Sequence, residues 1–79
     1  MKIVSYEKRV SNMHEPGDED KQLQLAKNYV KALRRKMKRS DNLKDKLTLL
    51  QAEKEAKAVL RQLRVNIFEL QDMLDQRIQ

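Results

Sequence analysis

The sequence predicts an all-α protein, an antiparallel helical hairpin with a longer second helix. Residues 43–78 contain neither Gly nor Pro, and their apolar residues recur at steps of three and four. That spacing is typical of helices that pack lengthwise on other helices. Residues 19–39 carry a similar, wider apolar stripe. With 39% hydrophobic and 38% charged residues, one Gly and one Pro, the composition favours long helices over sheet.

Residues 1–17 form an N-terminal segment that we predict to be a short helix or a flexible stretch, followed by a turn. Tyr6, Val10 and Met13 lie on one face of a possible helix, for which Ser5 is a suitable N-cap. The same stretch also alternates loosely like a strand. Because no partner strand is evident elsewhere in the sequence, we favour the helix or a segment that orders on docking.

The helical hairpin is predicted at residues 18–79, with helices at about 18–39 and 42–78. Pro16 and Gly17 form a clear break before it, and Asp18 is the candidate N-cap of the first helix. The polar residues 40–42 are the predicted turn, because the apolar register of the first helix does not continue through them. Antiparallel folding then places small residues opposite small or branched ones, with Ala26 facing Ala56 and Val30 facing Ala52.

The second helix is predicted to extend well beyond the first, which leaves part of its apolar surface without an assured partner in the hairpin. Burial of each such side chain would contribute roughly 1.5–3 kcal/mol, so something is expected to cover them. The candidates are residues 1–14 folded back, a second copy of the chain, or another helical protein. The expected protein interface consists of Leu63, Val65, Ile67, Phe68, Leu70, Met73 and Leu74.

Positive charge is concentrated in one third of the chain. The net charge is +6, and the segment 21–46 carries the whole excess. Basic side chains on a helix face can contact phosphates of DNA or RNA without reading their sequence, although a solvated helix face has the same composition. Only Tyr29 lies nearby as a base-stacking aromatic. The candidate anion-binding residues are Lys27, Lys31, Arg34, Arg35, Lys38, Arg39, Lys44 and Lys46.

Several other functions find no support in the sequence. There is no Cys, a single His and no Gly-rich phosphate loop, so we predict no enzyme, no cofactor and no small-molecule substrate. The acidic residues around His14 match no metal-site spacing, and no metal is predicted. The first helix lacks Trp or Phe anchors on its apolar face, so membrane binding is not expected.

The function expected from these patterns is that of a non-enzymatic, helical interaction and oligomerisation module, a small regulatory or assembly protein that forms a homodimer as a helical bundle or coiled coil. A chain of 79 residues without disulfides often needs oligomerisation to stabilise its small core. The alternative is a small regulatory protein that binds nucleic-acid phosphates through the basic face of the first helix. We expect a cytoplasmic protein, or a nuclear one if the organism is eukaryotic.

Overall fold

The computed structural model describes residues 3–77, of which 83% are helical and none lies in a strand. The described chain forms α1 (Tyr6–Ser11), α2 (Asp18–Arg39), α3 (Leu43–Val65) and α4 (Ile67–Arg77). The predicted all-α class is therefore confirmed. The predicted segments also included residues 1, 2, 78 and 79, which lie outside the described part of the chain.

α1 begins at the N-cap that the sequence predicted. The Ser5 hydroxyl accepts a hydrogen bond from the Lys8 backbone N–H at 3.1 Å, which satisfies one of the N–H groups left free in the first turn. The hydroxyl of Ser11 donates to the Lys8 carbonyl at 2.7 Å in the last turn. Residues 1–17 thus contain a short helix, the first of the two predicted possibilities.

The turn into α2 differs in detail from the prediction, because Gly17 and not Asp18 is the N-cap. Gly17 has φ 101°, a conformation that costs a residue with a Cβ about 1–2 kcal/mol. Asp18 is the first helical residue, and its carboxylate accepts N–H hydrogen bonds from His14 at 2.8 Å and Glu15 at 3.2 Å. These two bonds hold the pKa of Asp18 below its usual range.

α2 and α3 pack along their lengths in opposite directions and are joined by residues 40–42. Arg34, late in α2, reaches Glu53 in the first half of α3, and Asn42 caps α3 by accepting the Lys44 N–H at 2.8 Å. The two helices are of nearly equal length, 22 and 23 residues. Their buried apolar residues are Ala26, Val30, Leu33, Leu49, Ala52, Ala56, Leu60 and Leu63.

The second helix was predicted to be continuous, but the structure divides it at Asn66 into α3 and α4. Asn66 has φ −99° and ψ 10°, and its side-chain amide donates to the hydroxyl of Tyr6 at 3.1 Å. The deviation is small, because Asn66 N–H still bonds to the Gln62 carbonyl and Leu70 N–H to the Asn66 carbonyl. The longest dimension, 52 Å, is the length of residues 43–77 in a nearly straight helix at about 1.5 Å per residue.

The N-terminal segment covers the overhanging end of this long helical unit. Met13, Leu63 and Leu74 are completely buried, and Leu70 is 5% exposed. Side chains before and within α1 pack against the same core, namely Ile3, Tyr6 and Val10. The first of the three covers considered from the sequence was the N-terminal segment folded back, and its described part, residues 3–14, lies on the seam.

Polar contacts fix the segment in addition to apolar packing. Arg77 donates from Nη1 to the Met13 carbonyl at 2.7 Å, which joins the end of α4 to the residue after α1. Arg9 is only 6% exposed and donates from Nη1 to Gln22 Oε1 at 3.2 Å. Burial lowers the pKa of Arg9. α1 thus contacts both long helical units through side chains as well as through the core.

We expect Met13→Ala to destabilise the fold by about 2–5 kcal/mol, the range for deleting a buried Met side chain. Leu25→Ala is the control, because Leu25 is 52% exposed on α2 and its truncation removes little buried surface. Urea unfolding followed by circular dichroism measures both. Equal stabilities of the two variants would contradict a core that includes the N-terminal segment.

Candidate polyanion-binding groove

Two rows of basic residues face each other across the α2–α3 pair. Lys27, Lys31 and Arg34 belong to α2, and Lys57, Arg61 and Arg64 belong to α3. Each row has the spacing i, i+4, i+7, which places its three side chains on one face of its helix. Because the two helices are antiparallel, the rows run side by side, and both contribute to a single groove.

The groove has a volume of about 580 Å³ and an apolar floor. Val30 and Leu60, which are 5% and 8% exposed, line it between the two basic rows. No carboxylate is among the eight residues that line the groove, although the chain as a whole contains 12 Asp and Glu residues. Six cations therefore surround a groove whose base is apolar.

Glu53 partly neutralises one end of the groove from just outside it. Its Oε1 lies 2.8 Å from Lys57 Nζ and 3.1 Å from Arg34 Nε. The Glu53 side chain is 10% exposed, and the hydrogen bonds from Lys57 and Arg34 lower its pKa despite this burial. Within residues 3–77, Lys27, Lys31, Arg61 and Arg64 form no ion pair, so more uncompensated charge lies toward the other end.

The structure separates the eight basic residues that the sequence singled out. Lys27, Lys31 and Arg34 line the groove itself. Lys38 and Lys46 line an adjoining depression beside Arg34 and Glu53, which extends the basic surface toward the turn. The remaining three residues, Arg35, Arg39 and Lys44, are exposed elsewhere on the surface. Arg39 lines a separate depression together with Asp45.

Sequence reasoning missed the α3 half of the groove. Lys57, Arg61 and Arg64 lie in residues 47–79, a stretch with five basic and five acidic residues and therefore no net charge. Their i, i+4, i+7 spacing was nevertheless visible, and it matches the spacing in α2. Combined with antiparallel pairing of the helices, that match was the signal that could have identified a shared groove.

The residues expected to form a protein interface divide into a buried and an exposed set. Leu63, Leu70 and Leu74 are buried inside the chain, and Ile67 and Met73 are half-buried. Val65 and Phe68 are 72% and 76% exposed. A different apolar stripe is open on the first turns of α3, at Leu43, Leu47 and Leu50, which are 70%, 57% and 53% exposed.

Neither a metal cluster nor a membrane-spanning helix is found in the described residues. No three His, Asp or Glu side chains among residues 3–77 lie close enough to hold one metal ion together. None of the helices in that range combines the length and apolar character needed to cross a bilayer.

No family model matches the chain, and no protein of curated function and no solved structure is significantly similar to it. The functional interpretation therefore depends on the geometry and charge of the surface just described.

We expect the ion pairs of Glu53 to make the stability of the fold depend on pH. Its pKa in the folded chain lies below the ordinary value of 4.5, so its ion pairs stabilise the fold above about pH 4.5 and are lost as the pH falls through the lower, folded-state pKa. Glu53→Gln removes this contribution. Thermal unfolding should show the variant less stable than the unmodified chain near neutral pH, with a difference that narrows toward pH 3. A difference that is constant across this range would contradict the assignment.

Proposed function

We propose that this chain binds a polyanion through the groove between α2 and α3, with the sugar–phosphate backbone of a nucleic acid as the ligand class. The observation that carries the proposal is the convergence of six cationic side chains, three from each helix, on one groove without a lining carboxylate. The chain acts as a small regulatory binding protein without catalysis, in the cytoplasm or, in a eukaryote, the nucleus.

The distribution of charge favours this function over that of an ordinary solvated surface. Helix faces that serve only solubility tend to mix both signs, because neighbouring like charges repel. In this groove the acidic residues of α3 are directed elsewhere, and only Glu53 contacts the basic rows. A concave surface lined by one sign of charge also concentrates the field more strongly than a convex one.

The apolar floor adds to the affinity of such a site. Val30 and Leu60 exclude water from the base of the groove without offering hydrogen bonds that would compete with the anion. Charges next to a surface of low dielectric constant interact more strongly than charges surrounded by water. Binding is expected to be independent of sequence and to weaken steeply with salt, because bound phosphates release counterions.

Charge reversal on both walls of the groove tests the proposal. In Lys31→Glu with Arg61→Glu, neither residue is paired with Glu53, so the fold should be retained. We expect the affinity for a labelled oligonucleotide at low salt to fall roughly 10- to 100-fold, about 1 kcal/mol or more per lost contact. The slope of log affinity against log salt should decrease by about 1.4, for two lost phosphate contacts with a single strand.

The matched control is Lys36→Glu with Lys44→Glu, which changes the net charge by the same amount at exposed positions outside the groove. Glu53→Gln should instead raise the affinity, because Arg34 and Lys57 become available to the ligand. Equal losses in the two charge-reversed variants would assign binding to net charge alone and remove the groove from the proposal.

A second candidate function is self-association, which keeps the expected homodimer but moves its surface. Leu43, Leu47 and Leu50 are exposed at i, i+4, i+7 on one face of α3. Across a two-fold axis near Leu47, Leu43 of one copy would face Leu50 of the other, so the stripe is complementary to itself. A stable interface buries about 1,200–2,000 Å² of accessible surface. Three leucines bury much less, so the dimer should be weak.

Sedimentation equilibrium over a range of concentrations tests this association. We expect the unmodified chain to associate reversibly at high concentration and Leu47→Lys to remain monomeric. Leu25→Lys, at a similarly exposed leucine of α2, is the control and should associate normally. A monomer at every concentration for the unmodified chain would rule out the homodimer.

A further inference from the structure

We infer that the ligand of the groove is a single-stranded nucleic acid, with one of its bases stacked on the ring of Phe68. This inference rests on the proposed function and makes it more specific, because it distinguishes single strands from duplexes and from anions without bases. It assigns a role to an exposed aromatic residue that the protein core does not use.

Phe68 lies in line with the basic row of α3. It follows Arg64 by four residues and Arg61 by seven, the spacing that places side chains on one helix face. The division at Asn66 preserves this relation, because the hydrogen bonds from Asn66 to Gln62 and from Leu70 to Asn66 are of the helical i to i−4 type. The ring therefore stands about one helical turn beyond the end of the groove.

Phe68 is free to receive a ligand. It is 76% exposed, the highest value among the large hydrophobic residues exposed in the described chain, and Val65 beside it is 72% exposed. The neighbouring apolar residues Leu70 and Leu74 are buried, so α4 already contributes its own packing face to the core. Phe68 projects from another side of α4, and truncating it should leave the core intact.

The charge gradient along the groove points to the same end. Glu53 compensates Arg34 and Lys57, whereas Lys27 and Arg64, at the opposite end, have no ion pair within residues 3–77. Phe68 adjoins this uncompensated end. A backbone held there places its next base within reach of the ring, and stacking on an aromatic side chain tolerates any base.

The length of the site predicts its size in nucleotides. From Lys57 to Phe68 the helix rises about 16 Å at 1.5 Å per residue. At about 3.4 Å per nucleotide of a stacked strand, this corresponds to about five nucleotides. A duplex keeps its bases stacked inside the helix, so it could contact the basic rows but not use the ring.

The experiment measures fluorescence anisotropy at low salt with a labelled thymidine oligonucleotide of about 12 nucleotides, long enough to span the site. The same oligonucleotide paired with its complement is the duplex probe, and inorganic polyphosphate is the base-free competitor. Phe68→Ala is compared with Leu25→Ala, which also removes an exposed apolar side chain. Leu25 lies two and a half helical turns before Arg34 and therefore on the opposite face of α2.

We expect Phe68→Ala to weaken single-strand binding by about 5- to 150-fold, the range for one stacked base. The dissociation constant of polyphosphate, obtained from the competition, should be unchanged. Phe68→Leu, which keeps apolar bulk without a ring, should resemble Phe68→Ala. Leu25→Ala should bind like the unmodified chain, and the duplex should bind more weakly than the single strand.

Two results would overturn the inference while the proposed function stands. The first is that Phe68→Ala binds the single strand as tightly as Leu25→Ala does. The second is that the duplex binds as tightly as the single strand. In both cases the variant Lys31→Glu with Arg61→Glu would still bind the oligonucleotide more weakly than the unmodified chain. Absence of binding to oligonucleotide and polyphosphate alike at low salt would overturn the proposed function itself.

Discussion

The overhang of α3 and α4 beyond the start of α2 is the constraint on which the rest of the structure depends. The apolar seam of this long unit continues through Leu63, Leu70 and Leu74, and leaving those leucines in water would forgo roughly 1.5–3 kcal/mol each. Met13 and the residues of α1 close the seam instead. In a chain of 79 residues without disulfides, this cover is a substantial part of the whole core, so the N-terminal segment belongs to the fold and is not an appendage.

Because the seam is closed within the chain, the surface left for function is mainly polar, and its form follows from the same packing. Ala26, Ala52 and Ala56 are buried between α2 and α3, and small side chains at a helix contact allow the axes to approach toward about 8 Å. Close approach is what brings two rows of cations to one groove rather than to two separate faces. The core thus determines the spacing between the two rows of basic residues. Substitutions that move α2 and α3 apart should therefore also lower the affinity of the groove for anions.

The features that the sequence predicted correctly have local signals. Ser5 as N-cap, the break at Pro16 and Gly17 and the turn after Arg39 each depend on residues within one helical turn. The division at Asn66 has no such signal, because the acceptor of its side-chain amide, Tyr6, lies 60 residues away in the sequence. The α3 half of the groove was missed for another reason. Net charge summed along the chain is zero there, whereas basic and acidic residues occupy different faces once the helix forms.

The position of Glu53 makes the two ends of the groove differ in charge. A buried carboxylate between two helices is costly unless it is paired, and Lys57 and Arg34 supply that pairing at the end nearer the turn. The charge that remains uncompensated is consequently displaced toward Arg64, the end that adjoins α4. Electrostatic attraction and the exposed ring of Phe68 therefore coincide at one end of the molecule, although they arise independently, the first from an ion pair in the hairpin and the second from a side chain left outside the core. A ligand that combines phosphate charge with unpaired bases satisfies both at once, which neither a simple anion nor an apolar partner does.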